Sequence, residues 1–245
     1  MSTIKGIIFD FGGTIDTNGI HWGELIWEQY RQVATGIDKE TFRNAYIHGE
    51  RSLAKARIIE PSDTFRTMLE KKIALQIAFL NETMPYMKIG NAEGEEILRR
   101  CYNKVETTLE TTRPIVEKLS ALYPTVLVTN FYGNMPVVLE EFALSGYFNE
   151  IIESSVVGIR KPDPALFALG VDKLGTHANE TLVIGDSYKK DIYPSSALGC
   201  KSVWLKKICW AEESIEPGFE PAAIIDSLEK LPVLIEKSWQ NKHLF

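Results

Sequence analysis

A chain of 245 residues with 44% hydrophobic and 10% aromatic content has the make-up of a folded globular protein, long enough for one large domain or a main domain with a smaller insert. Its 27 Lys and Arg against 33 Asp and Glu leave a formal charge of −6, which offers no basic stripe for nucleic acid, and no stretch approaches the ~20 apolar residues of a membrane span. The opening MSTIKGIIFD has too short an apolar run for a secretory signal, and Cys101, Cys200 and Cys209 match no zinc or redox spacing, so a cytoplasmic protein with reduced structural thiols is expected.

The first element is the apolar run KGIIF, a buried strand that ends on Asp10 and passes into a glycine turn at Gly12 and Gly13. From about residue 17 to 112 no convincing strand follows. Amphipathic patterns at 22–34, 63–80 and 94–109 predict a helical insert, in which Trp22, Trp27, Tyr30 and Tyr46 read as core residues, some of them facing a cleft. Beyond it, runs rich in Ile and Val at 125–130, 150–155, 181–186, 201–205 and 222–227 alternate with helical patterns such as 113–123 and 163–175. Alternation of this kind predicts an α/β fold, a doubly wound parallel sheet with helices on its faces. The sheet domain would then be discontinuous, 1–16 plus 113–245, around an all-α cap at 17–112, with hinges near Thr17–Gly19 and Thr111–Pro114.

In an open parallel sheet, ligands bind beyond the carboxyl ends of the strands, so polar residues there converge even when distant in sequence. Four strand ends carry them: Asp10, then Thr129 and Asn130, then Lys161 in RKPDP, then Asp186 and Asp191 in GDSYKKD. Singly each has an ordinary explanation as a helix cap or turn residue.

Together and in this order they resemble the four motifs of the haloacid dehalogenase-like hydrolase superfamily: FDFGGT the first, LVTN the second, Lys161 in GIRKPDP the third and IGDSYKKD the fourth. The helical insert lies where that superfamily commonly carries a four-helix cap. The resemblance implies Asp10 as a nucleophile that forms an aspartyl-phosphate, with Mg²⁺ held by Asp10, the Gly12 carbonyl and Asp186. It implies Lys161 as the charge neutralising nucleophile and phosphoryl group, Asp191 as the residue holding Lys161 or a metal-bound water, and Gly13, Thr129 and Asn130 as phosphoryl-binding positions. A small phosphorylated metabolite is the implied substrate of a monomer or homodimer, with no nucleic-acid or membrane partner.

One position departs from the pattern. Phosphatases of this superfamily carry an acid/base aspartate two residues after the nucleophile, and here that residue is Gly12. Loss of general acid–base help costs ~10²–10⁴ in rate unless another group substitutes. Asp16, read first as a cap or hinge residue, and His21 and His48 in the insert are the candidate replacements; His177 and His243 read as surface residues. Two alternatives stay open: phosphonate cleavage through an imine on an insert lysine (Lys39, Lys55, Lys71, Lys72 or Lys88), and a catalytically weak protein binding Mg²⁺ and a phosphorylated ligand. The acids of GDSYKKD argue against metal-free carbon–halogen cleavage.

Overall fold

The computed structural model describes residues 3–34, 36–86 and 88–239, so His243 lies outside the described residues. The strand β1 (Gly6–Phe9) is followed by four helices, α1 (Trp22–Val33), α2 (Lys39–Lys55), α3 (Phe65–Thr83) and α4 (Asn91–Ser120). The chain then alternates β2 (Thr125–Thr129), α5 (Met135–Glu141), β3 (Glu150–Glu153), α6 (Ser154–Val157), α7 (Ala165–Leu174), β4 (Thr181–Gly185), α8 (Tyr193–Ala197), β5 (Lys201–Leu205), β6 (Ala223–Ile225) and α9 (Leu231–Trp239).

Among the described residues the sheet has six strands in the order β3-β2-β1-β4-β5-β6, every adjacent pair parallel. This is the expected doubly wound α/β fold with a helical insert. Order reverses between β1 and β4, and at such a switch point the flanking crossovers leave on opposite faces and open a crevice. Asp10 ends β1 and Asp186 ends β4, side by side at that crevice.

Period-2 alternation divides β1 between two faces. Ile7 and Phe9 pack with Leu127, Ile184 and the helical insert, where Tyr30, Phe42, Phe65 and Ile97 are buried. Ile8 points the other way, to Val126, Val183, Leu166 and Phe167. Insert helices start where side chains can satisfy free amides: His21 Nδ1 accepts from the Gly23 amide (3.0 Å) and Asp38 Oδ1 from the Thr41 amide (2.8 Å).

The helical patterns expected at 94–109 and 113–123 are one helix of 30 residues, α4, which runs through position 112 and carries Pro114 inside it. Pro114 has no amide to donate to the Glu110 carbonyl, and buried Thr112 ties the helix to the end of the glycine turn by donating to the Ile15 carbonyl (2.8 Å).

Candidate active site

Asp10, Lys161 and Asp191 form a buried chain of charge. Lys161 Nζ lies 2.7 Å from Asp10 Oδ1 and 2.6 Å from Asp191 Oδ1. Thr14 Oγ1 donates to the other Asp10 oxygen (3.2 Å), and the Ser187 amide donates to Asp191 Oδ2 (3.0 Å). The Asn130 side chain clamps the Lys161 backbone, accepting from the amide (2.9 Å) and donating to the carbonyl (3.2 Å). Thr129, buried at the end of β2, and Asn130 both line the cavity into which Asp10 faces.

Gly13 has φ +96°, and a Cβ there would fall 2.4 Å from the Asp186 carboxylate. The glycine is therefore required twice, for the left-handed turn and for the close approach of the β4 acid. Gly12 differs, because a Cβ on it would meet only the edge of Trp22, at 3.9 Å, so the missing acid is not excluded by space.

Burial is the main cause raising the Asp10 carboxyl above its usual range, with Lys161 opposing it and Asp191 adding to it. Asp186 is raised further, by burial and by the neighbouring Asp191 and Asp10. Lys161 is held above its usual value because Asp10 and Asp191 together outweigh the burial that lowers it. Ligand oxygens of Asp10, Asp186 and Asp191 lie within 4.8 Å of one another. Three carboxylates face one ammonium, and among the described residues the Asp186 carboxylate receives no hydrogen bond. That surplus of hard oxygen donors fits a divalent cation of the Mg²⁺ type.

The cavity above these groups measures about 110 Å³ and opens to solvent beside the exposed Arg160 and Lys190. Trp22 of α1, Tyr46 and Glu50 of α2, Phe65 and Lys72 of α3, and Tyr132 after β2 close it from above. The four aromatic residues singled out in the sequence divide: Trp22 and Tyr46 line the cavity, Tyr30 is buried inside the insert, and Trp27 packs on Phe42 (5.4 Å between centroids). Of the five insert lysines named as imine candidates only Lys72 lines the cavity.

None of the candidate replacements for the acid at Gly12 stands ready to move a proton. Asp16 is fully buried outside the cavity, accepting from the Gly13 amide (2.7 Å) and Trp22 Nε1 (2.7 Å), with burial pushing its carboxyl up to about 7. It ties the floor's glycine turn to the roof. His21 lines the cavity, but burial lowers it to about 4, and its Nδ1 is occupied by the Gly23 amide, which assigns the proton to Nε2. His48 stacks on Phe79 (4.8 Å) away from the cavity, and His177 is exposed. The three cysteines are free, and burial pushes Cys200 up to about 12 and raises the other two, so none is an activated thiolate.

The Lys72–Glu50 pair is the part of the site that strand-end reasoning misses. Its signal is present in the sequence: Lys72 falls on the apolar stripe of α3 with Met68, Leu69 and Ile73, where a lysine has no place unless it has a partner.

A family model of haloacid dehalogenase-like hydrolases matches residues 4–199. The phosphoglycolate phosphatase of Vibrio cholerae is 27% identical over 206 residues, 84% of this chain and 85% of that protein. Other curated relatives match over less than half of their own length. A crystal structure of a dehalogenase with an intermediate complex overlays with TM-score 0.64 at 13% identity, covering 98% of this chain and all of that one. The HAD-hydrolase YfnB of Bacillus subtilis bound to magnesium overlays with TM-score 0.57 at 16% identity, over 96% of this chain and 99% of that one. Among the described residues no helix is long and apolar enough to cross a membrane.

Proposed function

The chain belongs to the haloacid dehalogenase-like hydrolases, and from that premise we propose that it is a Mg²⁺-dependent phosphatase of small phosphorylated metabolites, with 17–112 as its cap and 1–16 with 113–245 as its catalytic domain. The observation that carries this reading is the Asp10–Lys161–Asp191 chain, beside Asp186, opening on a cavity of about 110 Å³.

An Asp10 oxygen attacks phosphorus, the ester P–O bond breaks with its electron pair going to the leaving oxygen, and an aspartyl-phosphate forms. Water then attacks phosphorus, the bond to Asp10 breaks, and inorganic phosphate leaves with the water's proton passing to solvent. Lys161, fixed by Asn130 at its backbone and by Asp191 at its ammonium, neutralises charge at the attacking carboxylate. Thr14 orients the second Asp10 oxygen, and Thr129, which lines the cavity, would hold a phosphoryl oxygen. Mg²⁺ held by Asp10, Asp186 and the Gly12 carbonyl would offset the repulsion between carboxylates and a phosphate dianion.

With glycine at position 12 and no replacement acid in reach, the favoured substrates are esters whose leaving group departs without a proton. Imine chemistry loses support, because Glu50 holds Lys72 protonated well above the usual lysine range despite its burial. The test is steady-state hydrolysis of an aryl phosphate, an acyl phosphate and phosphoglycolate with Mg²⁺. Wild type is expected to act on the first two, Asp10→Asn on none, and Gly12→Asp to gain up to ~10²-fold on alkyl esters. A wild type silent with every phosphate while binding Mg²⁺ and phosphate would replace this reading with a binding role.

A further inference from the structure

We propose, resting on the phosphatase reading, that Lys72 and Glu50 form a leaving-group subsite that accepts an uncharged oxygenated group, a hydroxyl or carbonyl, and disfavours a second anion. Lys72 is 6% exposed, and its ammonium lies 2.8 Å from Glu50 Oε1. The rings of Tyr132 and Trp22 lie 5.3 and 5.8 Å from it, and Tyr132 donates its hydroxyl to Glu50 Oε2 (3.0 Å). Both side chains line the cavity that holds Asp10 and Lys161, from the cap side.

The pair bridges the packed helices α2 and α3, and both of its side chains also border the reaction space. It is electrically neutral as a unit, because one carboxylate answers one ammonium. The neighbouring His21 adds an uncharged N–H donor. Lys161 is already committed to Asp10 and Asp191. Arg160 and Lys190 also line the cavity, but both are exposed to solvent, where their charge is screened. A substrate carboxylate would therefore leave water without finding an uncompensated buried cation, and Glu50 would repel it. A hydroxyl or carbonyl oxygen can accept from Lys72 without disturbing the pair.

The test compares two esters of one frame, 2-hydroxyethyl phosphate and 2-phosphoglycolate, with an aryl phosphate assayed alongside. Wild type should favour the hydroxyl ester in kcat/KM by at least about tenfold. Glu50→Gln, which leaves Lys72 uncompensated, should shift that ratio towards the carboxylate by a similar factor. Thermal shifts of the Asp10→Asn protein by the two esters should follow the same order without turnover. A wild type that prefers phosphoglycolate, a folded Glu50→Gln with an unchanged ratio, or, where neither alkyl ester is turned over, an Asp10→Asn protein shifted as much by phosphoglycolate as by the hydroxyl ester would each overturn the subsite. If Glu50→Gln does not fold, the wild-type ratio decides. If no phosphate at all is hydrolysed, the phosphatase reading falls, and the thermal shifts judge the subsite: equal shifts, or a larger one with phosphoglycolate, overturn it.

Discussion

The floor and the roof of the cavity each hold a buried lysine, and the two are held in opposite ways. Lys161 in the floor is shared by Asp10 and Asp191 with Asp186 close by, so the floor has more negative charge than its one cation answers. Lys72 in the roof has one carboxylate partner and aromatic faces around it, so the roof is balanced. An unbalanced cluster invites ions, a cation to complete it and then a phosphoryl group. A balanced pair has no charge to offer and discriminates by hydrogen bonding. The difference assigns chemistry to one side of the cavity and selection to the other.

The sharpest way to break this comparison is to remove each lysine in turn. Lys161→Met leaves buried carboxylates facing one another and should cost about 3–5 kcal/mol in urea unfolding, the range for a broken buried ion pair. Lys72→Met leaves only Glu50, which keeps its Tyr132 hydrogen bond and borders the cavity, and should cost clearly less. Equal losses would mean that the two lysines do the same job.

Asp16 ties floor to roof, and its burial gives a pH signature. The carboxyl titrates near 7 in the folded protein and near ~3.9 in the unfolded chain, so the folded state holds its proton more tightly. Asp16 therefore favours folding most fully below pH ~4, and that contribution is lost as pH rises through 7, by up to about 4 kcal/mol. Asp16→Asn should flatten the fall in stability between pH 4 and 7. An unchanged slope in denaturant titrations across that range would show that Asp16 is not held protonated.

The smallest effect tests the floor alone. Mg²⁺ should raise the melting temperature of wild type, by the equivalent of ~2.7 kcal/mol at a hundred times its dissociation constant. Asp186→Asn should remove most of that gain, and Glu50→Gln none of it. A gain that survives Asp186→Asn would place the ion elsewhere.

Floor residues are legible in the sequence because a parallel sheet collects its strand ends at one edge: Asp10, Thr129 and Asp186 follow apolar runs, while Lys161 stands out through RKPDP, eight residues past the end of β3. What Asn130 does was not legible, since its side chain closes on the backbone of a residue 31 positions away. The roof was harder still. Its residues come from helices whose rotation about their axes is set by packing, so the pattern shows which positions are buried and not which of them look into the cavity. Lys72 stood among five equivalent lysines until α3 was packed against α2, and Asp16 was readable as a local residue but not as the acceptor of a roof tryptophan.

The unbroken α4 bears on how substrate gets in. Thirty residues at 1.5 Å each make a rod of about 45 Å, which packs on α1 and α3 of the insert at one end and leads into the sheet at the other. Lifting the roof means bending that rod, and its soft point is Pro114, where the Glu110 carbonyl has lost its helical donor. The other crossing, Thr17–Ile20, is anchored to the β5 side of the molecule through Ile208. Any movement of the insert away from the sheet would thus be a flexural problem, with one leaf spring and one pinned edge.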